Sequence, residues 1–221
     1  EKDAFAYSRI ESLYIPESIS KLNEGWCHAT PKLTKIRVMP ANNNFIYFND
    51  NMIIGKLDQE SKEYNYLIFI RRDMKSVIIP SFIKKIGSFA FSTCLIEKII
   101  IPPNIIEICK GAFYRCKKLK HVEVSDSCEL KKIEELSFFK TSIFEIKIPS
   151  TVSVPNEKWC NYNTIVKKSE DEFNYDISLT FGLMFFYGIG TEENKELAIR
   201  YFKFIADGGN VDGMYSYAKC L

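Results

Sequence analysis

Apolar residues in the first three quarters of the chain return in a fixed order, separated by polar stretches of nearly constant length. The clearest unit runs Ile96, Ile99, Ile101-Pro102, Ile108, Ala112-Phe113 and Cys116; the frame restarts at Leu119, Val122 and Val124, 23 residues after Ile96. Upstream the same frame holds Met74, Val77, Ile79-Pro80, Ile86, Ala90-Phe91 and Cys94, and downstream Ile133, Ser137-Phe138, Ile143, Ile146 and Ile148-Pro149. Ile10, Leu13, Ile15-Pro16, Leu22 and Trp26-Cys27 lead into Leu33, Ile36 and Val38, while Trp159-Cys160 and Ile165 close the series. A self-similar period in the twenties predicts a solenoid, in which each unit buries its apolar face only against its neighbours.

Each position has a physical reason. The short Ile- and Val-rich run suits a strand of a parallel sheet covered on its core side. Proline, which has no N–H for a ladder, ends that strand. The Ile and Phe that follow point back inward and fill the layer behind the sheet. Side chains alternate along a strand, so the residues between the buried ones stand on the opposite, concave face. These are Ser12 and Tyr14, Lys35 and Arg37, Ser76 and Ile78, Lys98 and Ile100, His121 and Glu123, and Glu145 and Lys147. Ile78 and Ile100 are an apolar pair on an otherwise polar face, which makes this face the candidate protein-binding surface.

Residues 39 to 73 interrupt the period. Phe45-Ile46-Tyr47-Phe48, Met52-Ile53-Ile54 and Tyr66-Leu67-Ile68-Phe69-Ile70 read there as short strands around Asn, Asp and Gly turns, predicting a β-hairpin insertion. Beyond Lys167 the pattern changes again. A charged link over 168–175 precedes a helical pattern that ends at Tyr187-Gly188-Ile189-Gly190. Thr191 is a candidate cap for a second helix, with Glu192, Glu193 and Glu196 at its start and Ala198, Tyr201, Phe202, Ile205 and Ala206 along one face. Gly208-Gly209-Asn210 ends that helix and Asp212 to Leu221 begins a third. Gly182 predicts close helix contact, and Gly190 and Gly209 predict turns with backbone costly for other residues.

The run Ile86-Gly87-Ser88-Phe89-Ala90-Phe91 with Cys94, set after Ile79-Pro80, resembles the BspA-like leucine-rich repeats. The resemblance covers about residues 4 to 167, and departs from the pattern where Trp26-Cys27 and Trp159-Cys160 replace Ala-Phe. Gly182, Gly188-x-Gly190, Ala198, Tyr201, Ala206 and Gly209-Asn210 resemble the Sel-one-like repeat, a relative of the tetratricopeptide helical hairpins, over residues 176 to 221. The expected fold is an α/β repeat protein: a leucine-rich-repeat solenoid (1–167), a linker (168–175) and an α-helical-hairpin segment (176–221). BspA-like resemblance implies cell-surface proteins contacting host or matrix molecules, and Sel-one-like resemblance implies intracellular adaptors.

Composition is that of an ordinary globular chain, with 46% hydrophobic residues and a net charge of +2. The sum conceals an asymmetry, because residues 1–167 carry 25 Lys and Arg against 19 Asp and Glu (+6), and residues 168–221 carry 5 against 9 (−4). The densest basic stretch, Arg115, Lys117, Lys118 and Lys120, is small for a nucleic-acid surface and has no exposed aromatic interleaving. Seven cysteines without a Cys-x-x-Cys or paired histidines argue against a disulfide framework or zinc site, and no cofactor is implied. His28 and His121 sit beside no nucleophile motif, so an enzyme is not expected. No apolar run is long enough to span a membrane. Starting at Glu1 and stopping within a helical pair, the chain reads as part of a longer polypeptide. A protein-interaction scaffold is the expectation. The missing Asn-x-Ser/Thr acceptors and odd cysteine count lean toward the intracellular adaptor. A surface adhesin, or the regulatory arm of a larger enzyme, stands as alternative.

Overall fold

The computed structural model describes residues 1–58, 60–125, 127–155, 158–168, 175–189 and 191–221, with 175–177 described by backbone alone. Two compact units divide it, Glu1–Glu170 and Asp171–Leu221.

The first unit is a β-solenoid. Its expected strand positions form three two-stranded parallel pieces: β1 (Ser12–Ile15) with β2 (Lys35–Val38), β7 (Lys98–Ile101) with β9 (His121–Val124), and β11 (Glu145–Ile148) with β12 (Ile165–Lys168). Lys168, expected in the linker, therefore closes β12, whereas linker residues 169–174 and Gly190 lie outside the described residues. The strand expected around Val77–Ile79 is absent, since residues 74–80 join no ladder. On the upstream side its place is taken by the insertion, where the Arg72 amide donates to Leu33 O at 3.2 Å. Alternation survives all the same, with Ile78 exposed and Ile79 buried, because packing sets the facing of side chains even without ladder bonds.

A second sheet, not foreseen, lies along the Ile86, Ile108 and Ile133 positions. The two-residue strands β6 (Lys85–Ile86), β8 (Glu107–Ile108) and β10 (Lys132–Ile133) pair in parallel, and the insertion extends them. Its strands β3 (Phe45–Phe48), β4 (Met52–Gly55) and β5 (Tyr66–Ile70) form an antiparallel meander as the residue pattern predicts. β5 then pairs in parallel with β6, so the six strands run in the order β10-β8-β6-β5-β4-β3.

Backbone bonds also tie together the turns that carry the Phe and Trp positions. Phe89, Phe91 and Thr93 donate to the carbonyls of Lys110, Ala112 and Tyr114, and Gly111, Phe113 and Arg115 donate to those of Glu135, Ser137 and Phe139. Each such turn is closed by left-handed residues four apart: Phe89 and Thr93, Gly111 and Arg115, Leu136 and Lys140. Inside, Phe91, Phe113 and Phe138 stack at centroid distances of 4.6 and 4.9 Å, and Trp159 meets Phe138 edge-on. Cys94 and Cys116 are buried beside this spine, the Cys116 thiol donating to Phe91 O at 2.9 Å.

Where the insertion enters, the spine changes character. Arg72 is wholly buried and reaches both ways: Nη1 donates to Ala90 O at 2.7 Å, and Nη2 to Cys27 O and Phe89 O, each at 3.3 Å. Its guanidinium lies 4.4 Å from the Phe69 ring, which in turn packs on Trp26. The side chain thus adds donors across the seam to the backbone amides of Ile70 and Arg72, which bond Ala90 O and Leu33 O.

The second unit holds α1 (Tyr175–Tyr187), α2 (Lys195–Asp207) and α3 (Val211–Ala218). The cap of α2 is Asn194, whose side chain accepts from the Leu197 amide at 3.0 Å, rather than Thr191. Asn carries the same short acceptor and stands next to the first helical residue, which is what capping requires. Asn210 caps α3 likewise, accepting from Gly213 N. Ala198, Tyr201, Phe202 and Ile205 are buried on α2. A Cβ on Gly182 would come within 2.5 Å of the Phe202 ring, the close approach expected of that glycine. Gly209, at φ +85°, makes the turn expected after α2.

Candidate protein-interaction surface

The candidate residues take their places through alternation. On β1 and β2, Ser12 pairs in register with Lys35 and Tyr14 with Arg37, while Leu13, Ile15 and Ile36 turn inward. On β7 and β9, Lys98 stands opposite His121 and Ile100 opposite Glu123. On β11 and β12, Lys147 stands opposite Lys167. Tyr14, Lys35, Arg37, Ile78, Lys98, Ile100, His121, Glu123 and Lys147 are all exposed, as are Ser12 and Ser76, and Glu145 is half-buried. Ile78 is 89% and Ile100 57% exposed, large values for aliphatic side chains within a packed repeat.

These residues do not form one uninterrupted sheet. Lys98 and Glu123 pair diagonally at 2.5 Å, and Glu145 pairs with Lys167 at 2.9 Å, so much of the C-terminal part is internally neutralised. Exposed pairs of this kind contribute little stability, about 0–1 kcal/mol.

At the N-terminal end the insertion adds a wall. Ser12, Tyr14, Lys35 and Arg37 share a cleft of about 540 Å³ with Tyr47, Asp50 and Arg71, residues that sequence reasoning assigned to the insertion and not to the face. Tyr47 OH donates to Asp50 O at 2.7 Å, and Arg71 reaches the same carbonyl at 3.1 Å. Arg71 also holds Asp73 through two hydrogen bonds, which keep the Asp73 carboxyl below its ordinary pKa. The wall is therefore fixed by its own bonds.

A second polar cluster lies on the other sheet. Glu107, Cys109 and Glu134 bring possible metal-ligand atoms within 4.8 Å of one another. Lys85 holds Glu107 at 2.6 Å and Lys132 holds Glu134 at 2.5 Å, so both carboxylates are already paired. Burial pushes the Cys109 thiol up to about 12. The cluster is an ion-pair network.

Comparison with curated proteins gives no match. Among solved structures, the chain is similar to the pneumococcal vaccine antigen PcpA, with TM-score 0.60 and 23% identity over 69% of this chain and 36% of that one. It is also similar to a leucine-rich cell-surface protein from Faecalibacterium prausnitzii A2-165, with TM-score 0.58 and 19% identity over 77% of this chain and 51% of that one. At these identities the likeness shows the fold, and the chain spans about a third to a half of each neighbour's length. The family described as BspA type leucine rich repeat region matches in six copies over residues 1–54 and 65–166. With regular units on both sides of the insertion matched, the chain belongs to the BspA-type leucine-rich-repeat family.

Proposed function

We propose that this chain is a non-enzymatic protein-interaction scaffold that holds a partner on the strand face running from Tyr14 to Lys147. The observation that carries the reading is the exposure of Ile78 and Ile100 at positions whose sequence neighbours Ile79, Ile99 and Ile101 are buried. An exposed aliphatic side chain gains from a partner that covers it, by about 25 cal/mol per Å² of apolar area. In the same proposal the C-terminal helices are a Sel-one-like hairpin segment. Its support is the packing of α1 on α2 through Gly182 and of α3 on α2 through Gly213, where a Cβ would meet Ile205 at 2.4 Å.

The test is capture of a partner from the native cell by wild-type protein and by Ile78→Glu/Ile100→Glu. Both changes are on the surface, so the circular dichroism and urea midpoint stay as in wild type while capture is lost. A photo-crosslinking side chain at position 100 traps that partner. Unchanged capture by the double variant contradicts the proposal.

A second reading, a surface protein contacting host or matrix molecules, is favoured by the descriptions of the two solved neighbours, one a vaccine antigen and the other a cell-surface protein. Antibody labelling of intact against permeabilised cells separates it from an internal adaptor.

A further inference from the structure

We infer that the cleft between β1–β2 and the insertion binds an extended acidic peptide, with two carboxylates spaced i and i+2 seated on Lys35 and Arg37. The inference rests on the scaffold reading and gives that face a partner chemistry. Lys35 and Arg37 are exposed on the same side of β2, two residues apart. Their Cα atoms are therefore about 6.6 Å from each other. Acidic residues at i and i+2 of an extended peptide have that same spacing, because the peptide's own side chains alternate with the same rise.

Charge points the same way. The ion pairs of this region are Lys32–Glu11 and Arg71–Asp73, and among the described residues neither Lys35 nor Arg37 takes part in one. The cleft lining carries Lys35, Arg37 and Arg71 against Asp50, a net +2, which falls to +1 when Asp73 behind Arg71 is included. That surplus resides in the two groups on β2. Arg37 offers a carboxylate a two-toothed fork, and Lys35 a point charge.

The walls favour a peptide over a bare polyanion. Tyr14, in register with Arg37 and 52% exposed, and Tyr47 of the insertion both line the cleft. Tyrosines give rigid contact area to aliphatic side chains at low entropic cost. Asp50, which also lines the cleft, repels a uniformly anionic chain and leaves the favourable charge on β2.

Fluorescence anisotropy tests this with three labelled peptides of alternating sequence, Glu-Leu-Glu-Leu-Glu, Gln-Leu-Gln-Leu-Gln and Lys-Leu-Lys-Leu-Lys. Wild-type protein binds the Glu peptide, at least tenfold more tightly than either other peptide. Raising salt from 50 to 300 mM weakens it several-fold. Lys35→Gln/Arg37→Gln weakens it at least tenfold with an unchanged urea midpoint, and Lys118→Gln, at an exposed lysine off the strand face, leaves it as in wild type. The inference is overturned if wild-type protein does not bind the Glu peptide, if the Gln peptide binds as well, if the double variant binds like wild type, or if single-stranded DNA binds as tightly. Partner trapping at position 100 reports on the scaffold reading separately, so its persistence without Glu-peptide binding removes only the acidic-peptide assignment.

Discussion

Removal of Arg72 tests whether one side chain bridges the seam between the insertion and the repeat stack. Its three bonds to the carbonyls of Ala90, Cys27 and Phe89 are charge-assisted, about 1.5–3 kcal/mol each, or about 5–9 kcal/mol in gross terms. The ring of Phe69 at 4.4 Å adds about 2 kcal/mol in a desolvated setting. Against this stands the cost of burying a guanidinium, several kcal/mol. The three carbonyls are not orphaned by the loss, because Ala90 O also accepts from Ile70 N, Phe89 O from Ser92 N and Cys27 O from the Thr30 hydroxyl. Most of the damage in Arg72→Ala is thus the void left by a fully buried side chain, and the expected loss is about 3–5 kcal/mol. Arg72→Met fills that void without bridging, so its expected loss is smaller, about 1–2 kcal/mol.

The two variants share one signature. Without the bridge, the amides that cross the seam, Ile70 to Ala90 O, Arg72 to Leu33 O and Ala29 to Ser92 Oγ, lose protection. Urea unfolding gives the global losses, and native-state hydrogen exchange reads the residue-70 and residue-29 amides. Tenfold faster exchange in both variants, about 1.4 kcal/mol, is expected even where the Met variant is nearly as stable as wild type. A global loss below 1 kcal/mol for Arg72→Ala, or unchanged exchange at both amides, refutes the bridging argument.

Other consequences follow from the turns, the spine and the titrating groups. Gly111 sits at φ +61° with a Cβ position 2.3 Å from the Phe89 ring, so Gly111→Ala lowers stability by about 2–3 kcal/mol, while Arg115→Gly, relieving φ +60°, raises it by about 1 kcal/mol; urea midpoints measure both. Phe113→Ala opens the stack between Phe91 and Phe138, lowers stability by about 3–5 kcal/mol, and speeds exchange in the repeats on either side. Because its bonds to Arg71 depress the Asp73 carboxyl, they stabilise the fold above the ordinary carboxylate pKa, and the gain is lost as pH falls through the lower folded value. The stability difference between wild type and Asp73→Asn therefore shrinks from pH 5 to pH 2.5, and a difference independent of pH contradicts the pairing. Burial pushes the thiols of Cys27 and Cys109 up to about 12, so native protein at pH 8 is alkylated first at the partly exposed Cys128 and Cys220, as peptide mapping reads out.

What was legible in the sequence is what each residue decides with its own neighbours. Ile99, Ile101, Ile146 and Ile148 are buried and Ile78 and Ile100 exposed because alternation fixes facing wherever the chain runs extended, with or without a ladder. The insertion's strands were legible for the same reason, since Phe45–Phe48 and Tyr66–Ile70 are too apolar to remain in a solvated loop. The second sheet was not, because two-residue strands such as Lys85–Ile86 are shorter than any period, and their pairing follows from stacking alone. Arg72 was hidden differently. In Arg71-Arg72-Asp73 nothing local says which arginine is buried; Arg71 takes the Asp73 carboxylate, and the leftover cation finds its oxygen acceptors in carbonyls 17 to 45 residues away. The one available signal was that imbalance of two cations and one anion at the exit of an insertion. The cleft is the same kind of feature, for Tyr14 and Arg37 come from the repeat and Tyr47 and Arg71 from the piece that breaks it. A regular solenoid repeats its surface along with its core, so its specificity is to be sought first where an insertion sets unlike residues beside the regular ones.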